Sequence, residues 1–345
     1  MKVFMYDNVP NFGDMLNKHI WGRYFGPYLS HEDKVLMFGI GTVLGEDIGD
    51  AEQVIVCGSG CGYSRKIDRI DTSHFHIFFV RGKLTAKLLG LPDSIAITDP
   101  GILTPESFPP GPKHGRVVYV PHWESSSNPL WKIACERAGI EYVDPLGDID
   151  EIMRSISGAK LVIAEAMHAA IVADSYRVPW VAVTTSARIN QFKWNDWAGS
   201  LEMVPTFFHF APLGPSDYFR TLTSSKDKEI RLEEVKDMKE EGASSSSGPK
   251  AVLKKIYKVL VPAFIRNRKD DFLNHKLGPV LDRILAAWVQ AGLPSPAMKR
   301  TVRAFERLKQ SAEGQLSDES LSRQRVDSMH RKLEEVRVFL EKRAA

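Results

Sequence analysis

Short apolar runs alternate with amphipathic stretches along the front of the chain, which is the pattern of strands followed by helices. The buried-strand candidates in this part are residues 2–7, 53–60 and 75–82. Amphipathic stretches at residues 14–25 and 83–92 predict helices, the first of them opened by Asp14. Strands that alternate with helices in this way predict parallel βαβ units.

A Pro- and Gly-rich run at residues 108–115 separates this part from a second alternating unit. The strand and helix candidates of the second unit are, in order, residues 116–123, 128–139, 140–145 and 148–157, and the strand–helix–strand stretch 162–183. Asn128 is the predicted cap of its first helix, with Pro at the first helical position. The whole pattern predicts an α/β fold of two Rossmann-like domains, residues 1–108 and 109–213, with a cleft between them.

The pattern changes from about residue 214. Residues 214–249 are charged and Ser-rich and predict a flexible linker, and residues 250–345 predict a basic, helical C-terminal extension. Within the extension, residues 250–269 carry seven Lys/Arg and no Asp/Glu beside an apolar face. The apolar positions near the end are spaced 3-4-3-4 and comprise Val326, Met329, Leu333, Val336 and Leu340. This seam predicts packing on the body of the protein or on a second copy, so a homo-oligomer stays open.

Composition narrows the class of protein. Hydrophobic residues at 43% and charged residues at 26% are ordinary for a globular protein. A net charge of +3 fits an anionic small substrate or a membrane surface and is too weak to argue for nucleic acid. Cys57, Cys61 and Cys135 form neither a disulfide framework nor a zinc motif. With no signal-peptide pattern and no run long enough to span a bilayer, the sequence predicts a cytoplasmic protein, free or peripheral on a membrane.

Four loops that follow predicted strands are candidates for a ligand site, because open parallel sheets bind ligands beyond the carboxyl ends of their strands. These loops are residues 7–14, 57–63, 80–85 and 164–170. The last contains His168, which sits among small residues at the mouth of an apolar unit. The glycine loops lack the GxGxxG spacing and acidic partner of a dinucleotide site, which argues against a nicotinamide cofactor.

Seven motifs in order carry a resemblance to a known family. They are NFGD (11–14), GIGTVL (39–44), GSGCGY (58–63), VRGKLTAKLLG (80–90), ITDPGIL (97–103), YVPHWE (119–124) and the stretch 157–183. Together they resemble the polysaccharide pyruvyl transferase family, and among its members the exopolysaccharide ketal-pyruvyl transferases of the succinoglycan type. The resemblance covers roughly residues 1–205. It implies a glycosyltransferase-B-like (GT-B-like) pair of Rossmann domains that transfers pyruvate from phosphoenolpyruvate to two hydroxyls of a terminal sugar, with loss of phosphate.

The implied donor suggests which residues bind it. Phosphoenolpyruvate carries a phosphate and a carboxylate, so its site needs cations, and ketal formation needs a group that gives and takes protons near neutral pH. His168 matches the histidine of the family's Arg-Leu-His motif, but Ala166 stands where the arginine would be. Arg81 matches the arginine of the family's donor motif in the N-terminal domain. Arg188 and Lys193 are candidates to replace the missing charge.

The remaining candidates each have a structural alternative. Glu165 either assists His168 in catalysis by fixing the imidazole tautomer or is a solvated turn residue, and Arg81 is either a donor ligand or an interdomain ion pair. Asp14 and Asp99 are interpreted as a helix cap and a turn former. The predicted acceptor-binding residues are Asn11, Gly13, His122 and Trp123, the last two also fitting the rim of a core. No metal site and no cofactor beyond the donor substrate are predicted.

Three functions therefore compete. The first is a pyruvyl transferase that acts on a lipid-linked exopolysaccharide repeat unit at the inner face of the plasma membrane, with residues 250–269 as the membrane contact. The second is a nucleotide-sugar glycosyltransferase of the same fold. The third is a non-catalytic sugar-binding or scaffolding relative. The first is preferred because the start of the helix at His168 lacks the Gly-rich turn that would cradle a diphosphate.

Overall fold

The computed structural model describes residues 1–5, 11–30, 34–62, 72–185, 189–223, 272–311 and 313–344. Its strands are β1 (Lys2–Val3), β2 (Val35–Phe38), β3 (Gln53–Cys57), β4 (Phe75–Phe79), β5 (Val117–Val120), β6 (Glu141–Tyr142), β7 (Leu161–Ala164), β8 (Trp180–Thr184) and β9 (Phe207–His209). They form two separate sheets, one on each side of the Pro- and Gly-rich run at residues 108–115. Every strand pair within the two sheets is parallel.

The helices of the described residues connect these strands and extend beyond them. They are α1 (Phe12–Phe25), α2 (Lys83–Leu88), α3 (Thr104–Ser107), α4 (Trp123–Ser126), α5 (Pro129–Ala138), α6 (Ile149–Gly158), α7 (Met167–Ser175), α8 (Gln191–Ser200), α9 (Pro215–Thr223), α10 (Gly278–Gln290), α11 (Pro296–Ser311) and α12 (Glu319–Ala344). Asn128 caps α5, as its sequence predicts. Asp148 caps α6 and Asn190 caps α8 in the same way.

The N-terminal sheet has the strand order β1-β2-β3-β4. All of β2 and all of β3 except its first residue are buried, which is why both strands read as continuous apolar runs in the sequence. The order follows the chain without a reversal among the described strands, so this sheet has no switch point of the doubly wound kind.

The C-terminal sheet has the order β6-β5-β7-β8-β9 and does reverse direction. The chain leaves β5 for one edge and then returns to place β7 on the other side of β5, which is the flavodoxin-like order. The crevice at the carboxyl ends of β5 and β7 is therefore the position where such a sheet binds ligands. His122 follows β5 and His168 follows β7 at this point.

One apolar core runs through both sheets. It contains Met37 and Ile55 from the N-terminal sheet and Val118 and Val162 from the C-terminal sheet. The same core includes the inner face of α12, so the last helix packs on the body of the protein. The prediction for the 3-4-3-4 seam is confirmed in that form, with Met329, Leu333, Val336 and Leu340 buried.

The α/β prediction with parallel sheets and added helices is confirmed. The GT-B-like pairing of two Rossmann domains stays a prediction. Helix α9 occupies the start of the predicted linker, because Asp217 in its first turn accepts hydrogen bonds from the backbone of Leu213 and Gly214. The rest of that linker and the basic segment 250–269 lie outside the described residues. Within the described residues, no helix combines the length and apolar character that crossing a bilayer demands.

Candidate functional site

The imidazole of His168 lies where the two sheets meet. His168 is the second residue of α7, which begins after the two-residue turn that follows β7. Its Nδ1 lies 2.1 Å from the point that a Cβ on Gly13 would occupy. Gly13 belongs to the first turn of α1, so the missing side chain there leaves room for the ring. A histidine of the C-terminal sheet thus packs on the first helix of the N-terminal part.

Burial and nearby cations keep His168 neutral. Burial, the ammonium of Lys193 and the guanidinium of Arg81 lower the pKa of His168 from 6.5 to about 3. At neutral pH the ring therefore holds a proton on one nitrogen and a lone pair on the other. An anion bound beside Lys193 would offset the positive potential and raise the pKa of His168 towards the physiological range.

The first turn of α1 supplies polar groups beside the ring. Asn11 caps the helix, its Oδ1 accepting from the backbone N of Asp14 at 3.2 Å while its Nδ2 donates to Asp14 Oδ2 at 2.5 Å. The prediction that Asp14 opens the helix is wrong by three residues, because Asn11 takes the capping position. Burial raises the pKa of Asp14 to about 6, although Asn11 and Lys193 act in the opposite direction. Asn11 and Gly13 lie next to His168, and their contact with an acceptor stays a prediction.

Asp99 lies on another side of the imidazole and is fully buried. Its Oδ1 accepts from the backbone N of Gly101 at 2.9 Å and starts the 3₁₀ turn Pro100–Leu103, so the turn-former interpretation is confirmed. Its Oδ2 lies 3.9 Å from His168 Nε2. Both atoms are buried and lack a hydrogen-bond partner among the described residues. Burial raises the pKa of Asp99 to about 6, against the opposing charge of Arg81.

The carboxylate of Glu165 joins the carboxyl ends of neighbouring strands. It accepts four hydrogen bonds of 2.5–3.0 Å, from Tyr119 Oη, the backbone N of His122, Ser125 Oγ and Thr185 Oγ1. Burial raises the pKa of Glu165, and the bonds to Thr185, His122 and Ser125 oppose that rise. Within the described residues His168 is not one of its hydrogen-bond partners, and the four protein donors also disagree with the alternative of a solvated turn residue. A catalytic role for Glu165 stays a prediction.

His122 and Trp123 lie at the same strand ends as Glu165. His122 caps the short helix α4 through Nδ1 and holds Glu165 through its backbone N–H. The indole of Trp123 tilts against its ring with 5.6 Å between the centroids, and both side chains are partly exposed. Their position beyond β5, at the reversal of strand order, is compatible with sugar stacking and does not test it.

Arg81 is not exposed at this site. Its guanidinium is fully buried and donates to Asp196 Oδ2 at 3.0 Å, Thr42 Oγ1 at 2.8 Å and the backbone O of Cys61 at 3.0 Å. Asp196 belongs to α8, so this ion pair links the two halves of the chain. The structure therefore favours the interdomain ion pair over the donor ligand, because binding an anion would require the guanidinium to leave these partners.

Lys193 is the predicted cation that the structure brings to His168. It lies in the first turn of α8, is partly buried, and its charge acts on both His168 and Asp14. Arg188 lies outside the described residues. Asp99 and Asp196 were not predicted as site neighbours, because each reaches its partner across a long stretch of sequence. For Asp99 the available signal was an acidic residue in front of Pro100 at the end of an apolar run.

Among the residues that the structure describes, no three His, Cys, Asp or Glu side chains gather in a way that would hold a metal ion. The three cysteines are free and buried. The prediction of a reaction without a metal or cofactor is not tested by this geometry.

The fold and the cluster around His168 define an α/β protein with a candidate ligand site at the carboxyl ends of parallel strands. A family model described as polysaccharide pyruvyl transferase matches residues 11–186, just over half of the chain. The chain therefore belongs to the polysaccharide pyruvyl transferase family. It is also 40% identical over 194 residues to the succinoglycan biosynthesis protein ExoV of Rhizobium meliloti (strain 1021). That match covers 55% of this chain and 61% of the relative, so the chain spans about three fifths of the relative's length.

Proposed function

We propose that this protein transfers pyruvate from phosphoenolpyruvate to two hydroxyls of a terminal sugar, forming a pyruvate ketal and releasing phosphate. The acceptor in this proposal is a lipid-linked exopolysaccharide repeat unit. The observation that carries the proposal is the imidazole of His168, which packs against Gly13 of α1 at the junction of the two sheets, within reach of the charge of Lys193. Membership of the family and similarity to a succinoglycan biosynthesis protein support the class of reaction.

The reaction requires two proton movements at one centre. A proton adds to the methylene carbon of phosphoenolpyruvate while a sugar oxygen bonds to the neighbouring carbon, which converts the double bond into a methyl group and a new C–O bond. The second hydroxyl then bonds to the same carbon as its bond to the phosphate oxygen breaks. One hydroxyl proton balances the proton added to carbon, and the other leaves with phosphate.

His168 suits both movements because donor binding changes its charge state. In the free protein burial and the nearby cations lower its pKa to about 3, so the ring is neutral and only weakly basic. An anionic donor next to Lys193 removes part of the positive potential and favours the protonated ring, which can then protonate the methylene carbon. The first sugar hydroxyl returns a proton to the ring as it attacks.

The proposal also includes an acceptor side. We place the sugar near Asn11 and Gly13, with His122 and Trp123 at the neighbouring strand end as a stacking surface. In this proposal the enzyme works at the inner face of the plasma membrane, where residues 250–269 contact the lipid surface through their excess of Lys and Arg.

Thermal unfolding with candidate donors tests the proposal without knowledge of the acceptor. A ligand at a hundred times its dissociation constant adds about 2.7 kcal/mol to the free energy of unfolding. We expect phosphoenolpyruvate to raise the Tm, and the Lys193→Ala variant to lose most of that shift. Lys132→Ala, which removes an exposed lysine from α5, is the matched control and should keep the full shift.

The comparison ligands separate the competing functions. Inorganic phosphate and pyruvate, tested alone, show whether the site requires both anionic groups on one molecule. A shift with nucleotide-sugars and none with phosphoenolpyruvate would move the assignment to a glycosyltransferase. A full phosphoenolpyruvate shift in Lys193→Ala would show that another cation holds the donor.

A further inference from the structure

The buried face of the His168 ring meets a carboxylate that no sequence motif assigned to it. Asp99 Oδ2 and His168 Nε2 are 3.9 Å apart, and both lack a partner among the described residues. The Asp99 side chain has no exposed surface, and 15% of the His168 side chain is exposed. Buried polar atoms are normally satisfied, so two unsatisfied atoms that face each other require an explanation.

The distance between Asp99 Oδ2 and His168 Nε2 limits how these two atoms can interact. A water bridging two atoms through bonds of about 2.8 Å at a tetrahedral angle would hold them about 4.6 Å apart. A direct N–H···O bond would hold them at about 2.9 Å. The observed distance is too short for the first and about 1 Å too long for the second. A rotation of the imidazole that brought the two atoms about 1 Å closer would complete a direct bond, whereas Asp99 is held by its bond to Gly101.

We propose that Asp99 is the positioning residue of His168, accepting a hydrogen bond from Nε2–H and so leaving Nδ1 as the nitrogen that exchanges protons with substrate. Nδ1 lies on the Gly13 side of the ring, towards the residues to which the acceptor is assigned. A carboxylate that holds one imidazole nitrogen fixes the tautomer and stabilises the imidazolium that forms during proton transfer. The identity of the substrate in this inference rests on the proposed function, but the pairing of the two side chains does not.

Other charges around the pair act on its protonation. Lys193 from α8 and the buried Arg81 favour the neutral ring. Arg81 lowers the pKa of Asp99, and Asp196 raises it. On the opposite side, Asp14 of α1 lies within the influence of Lys193. These surrounding charges stay in place when Asp99 alone is replaced. The Asp99 variant therefore isolates the contribution of that carboxylate to the protonation of His168.

Nitrogen NMR of the full chain with labelled histidine tests the pairing, because it reports both the tautomer and the titration of His168. In the unchanged protein we expect the neutral ring to carry its proton on Nε2. In Asp99→Asn, which keeps an oxygen for the Gly101 N–H, we expect a mixture of tautomers or the Nδ1–H form. Asp93→Asn, a change at an exposed carboxylate, is the control.

Kinetics provide the second measurement once an acceptor is found. Asp99→Asn should lower kcat on the order of 100-fold and change the KM for phosphoenolpyruvate little, because orientation of the proton-transfer group is lost. An unchanged tautomer in Asp99→Asn would overturn the pairing, whatever the variant does to Tm. A changed tautomer in a protein that binds no phosphoenolpyruvate would keep the pairing and reject the proposed function instead.

A separate surface carries an independent inference. Helix α10 and the turn before it expose four large apolar side chains, Phe272, Val280, Ile284 and Trp288, the last three spaced four residues apart on one face. Ile284 is 61% exposed and Trp288 51% exposed. The opposite face of the helix buries Asp282, Ala286 and Val289 against the protein. Among the described residues, α10 therefore packs one of its faces and leaves a second, apolar face exposed.

Two exposed cations accompany this face: Lys276 lies four residues before Val280, and Arg283 is the neighbour of Ile284 in the chain. Helices α10 and α11 both pack on α5, and residues 272–311 contain seven Lys/Arg against two Asp/Glu. One of those two acids, Asp282, is buried. The exposed cations are Lys276, Arg283, Lys299, Arg300, Arg303, Arg307 and Lys309. A second copy docked through the same face would bring like charges together, whereas an anionic surface complements them.

We infer that the α10 face, meaning Phe272, Val280, Ile284 and Trp288 with the cations Lys276 and Arg283, docks on a bilayer that carries anionic lipids. An apolar stripe with a Trp, flanked by Lys and Arg, is the arrangement of helices that lie in the membrane interface. This contact is distinct from residues 250–269 and is built from described residues alone.

Flotation of the full chain with vesicles tests the inference. We expect binding to vesicles of phosphatidylglycerol and phosphatidylcholine, weaker binding to phosphatidylcholine alone, and at least a tenfold loss of affinity in Ile284→Ser/Trp288→Ser. Val338→Ser, at an exposed apolar position of α12, is the control for loss of an apolar group elsewhere. Equal vesicle binding by the double variant and the unchanged protein would overturn the assignment. A dimer in sedimentation velocity that the double variant abolishes would also overturn it, in favour of a contact between copies.

Discussion

Glycine positions determine which side chains reach the junction between the two sheets. A Cβ on Gly60 would lie 2.2 Å from Arg81 Cζ, and a Cβ on Gly82 would lie 2.0 Å from the backbone O of Asp196. The glycines of these loops therefore make room for the buried ion pair, where the sequence had suggested an approach to a ligand. Gly13 does the same for His168, so the candidate catalytic ring and the buried arginine are both placed by missing side chains.

Replacing Gly13 by Ala tests whether the His168 ring needs the space that the missing side chain leaves. The new Cβ would overlap His168 Nδ1, so the ring must leave its position against α1. We expect Gly13→Ala to abolish transferase activity and to change the NMR signals of His168. Gly22→Ala in the same helix is the matched control, since its Cβ meets nothing within 4 Å. It should retain activity and gain about 0.5–1 kcal/mol in the free energy of unfolding. Full activity in Gly13→Ala would place the chemistry elsewhere.

At the scale of elements, the sequence predicts what depends on local pattern. The strand–helix–strand unit around α7, the Asn128 cap and the seam of α12 follow from periodicity and capping residues, and the structure contains all three. Strand β2 was not among the predicted strands, although its four residues form the same kind of continuous apolar run as β3. The sequence also could not predict that α12 packs on the body of the protein, since a 3-4-3-4 seam fits a second copy equally well.

Packing of α12 predicts a large difference between two positions of the same helix. Leu333 is buried in the shared core, and Val338 is exposed on the outer face. Leu333→Ala should lower the free energy of unfolding by about 2–5 kcal/mol, because it removes apolar contacts and leaves a cavity. Val338→Ala should change it by less than about 0.5 kcal/mol. Urea unfolding of both variants measures this, and equal small effects would mean that α12 is detached in solution.

For the whole molecule, the decisive contacts join residues that are far apart in sequence. Arg81 and Asp196 are separated by 115 positions, and Asp196 also accepts hydrogen bonds from the backbone N and Oγ1 of Thr85. Single-sequence motifs marked His168 and Arg81 as important but gave no information on which charges face them. The ion pair of Arg81 with Asp196 and the approach of Asp99 to His168 are both contacts of this long-range kind.

The buried ion pair gives the prediction that separates a structural arginine from a donor ligand. Arg81→Met keeps much of the volume but leaves the Asp196 carboxylate buried without its counter-charge, so we expect a loss of about 3–5 kcal/mol in the free energy of unfolding. Adding Asp196→Asn to Arg81→Met should recover part of that loss, because the uncompensated charge is then removed. Urea unfolding of the two single variants and the double variant gives the coupling energy. If Arg81→Met instead left stability unchanged and weakened only the binding of phosphoenolpyruvate, the guanidinium would have to leave Asp196 for the donor, and the two halves of the chain would have to open to admit it.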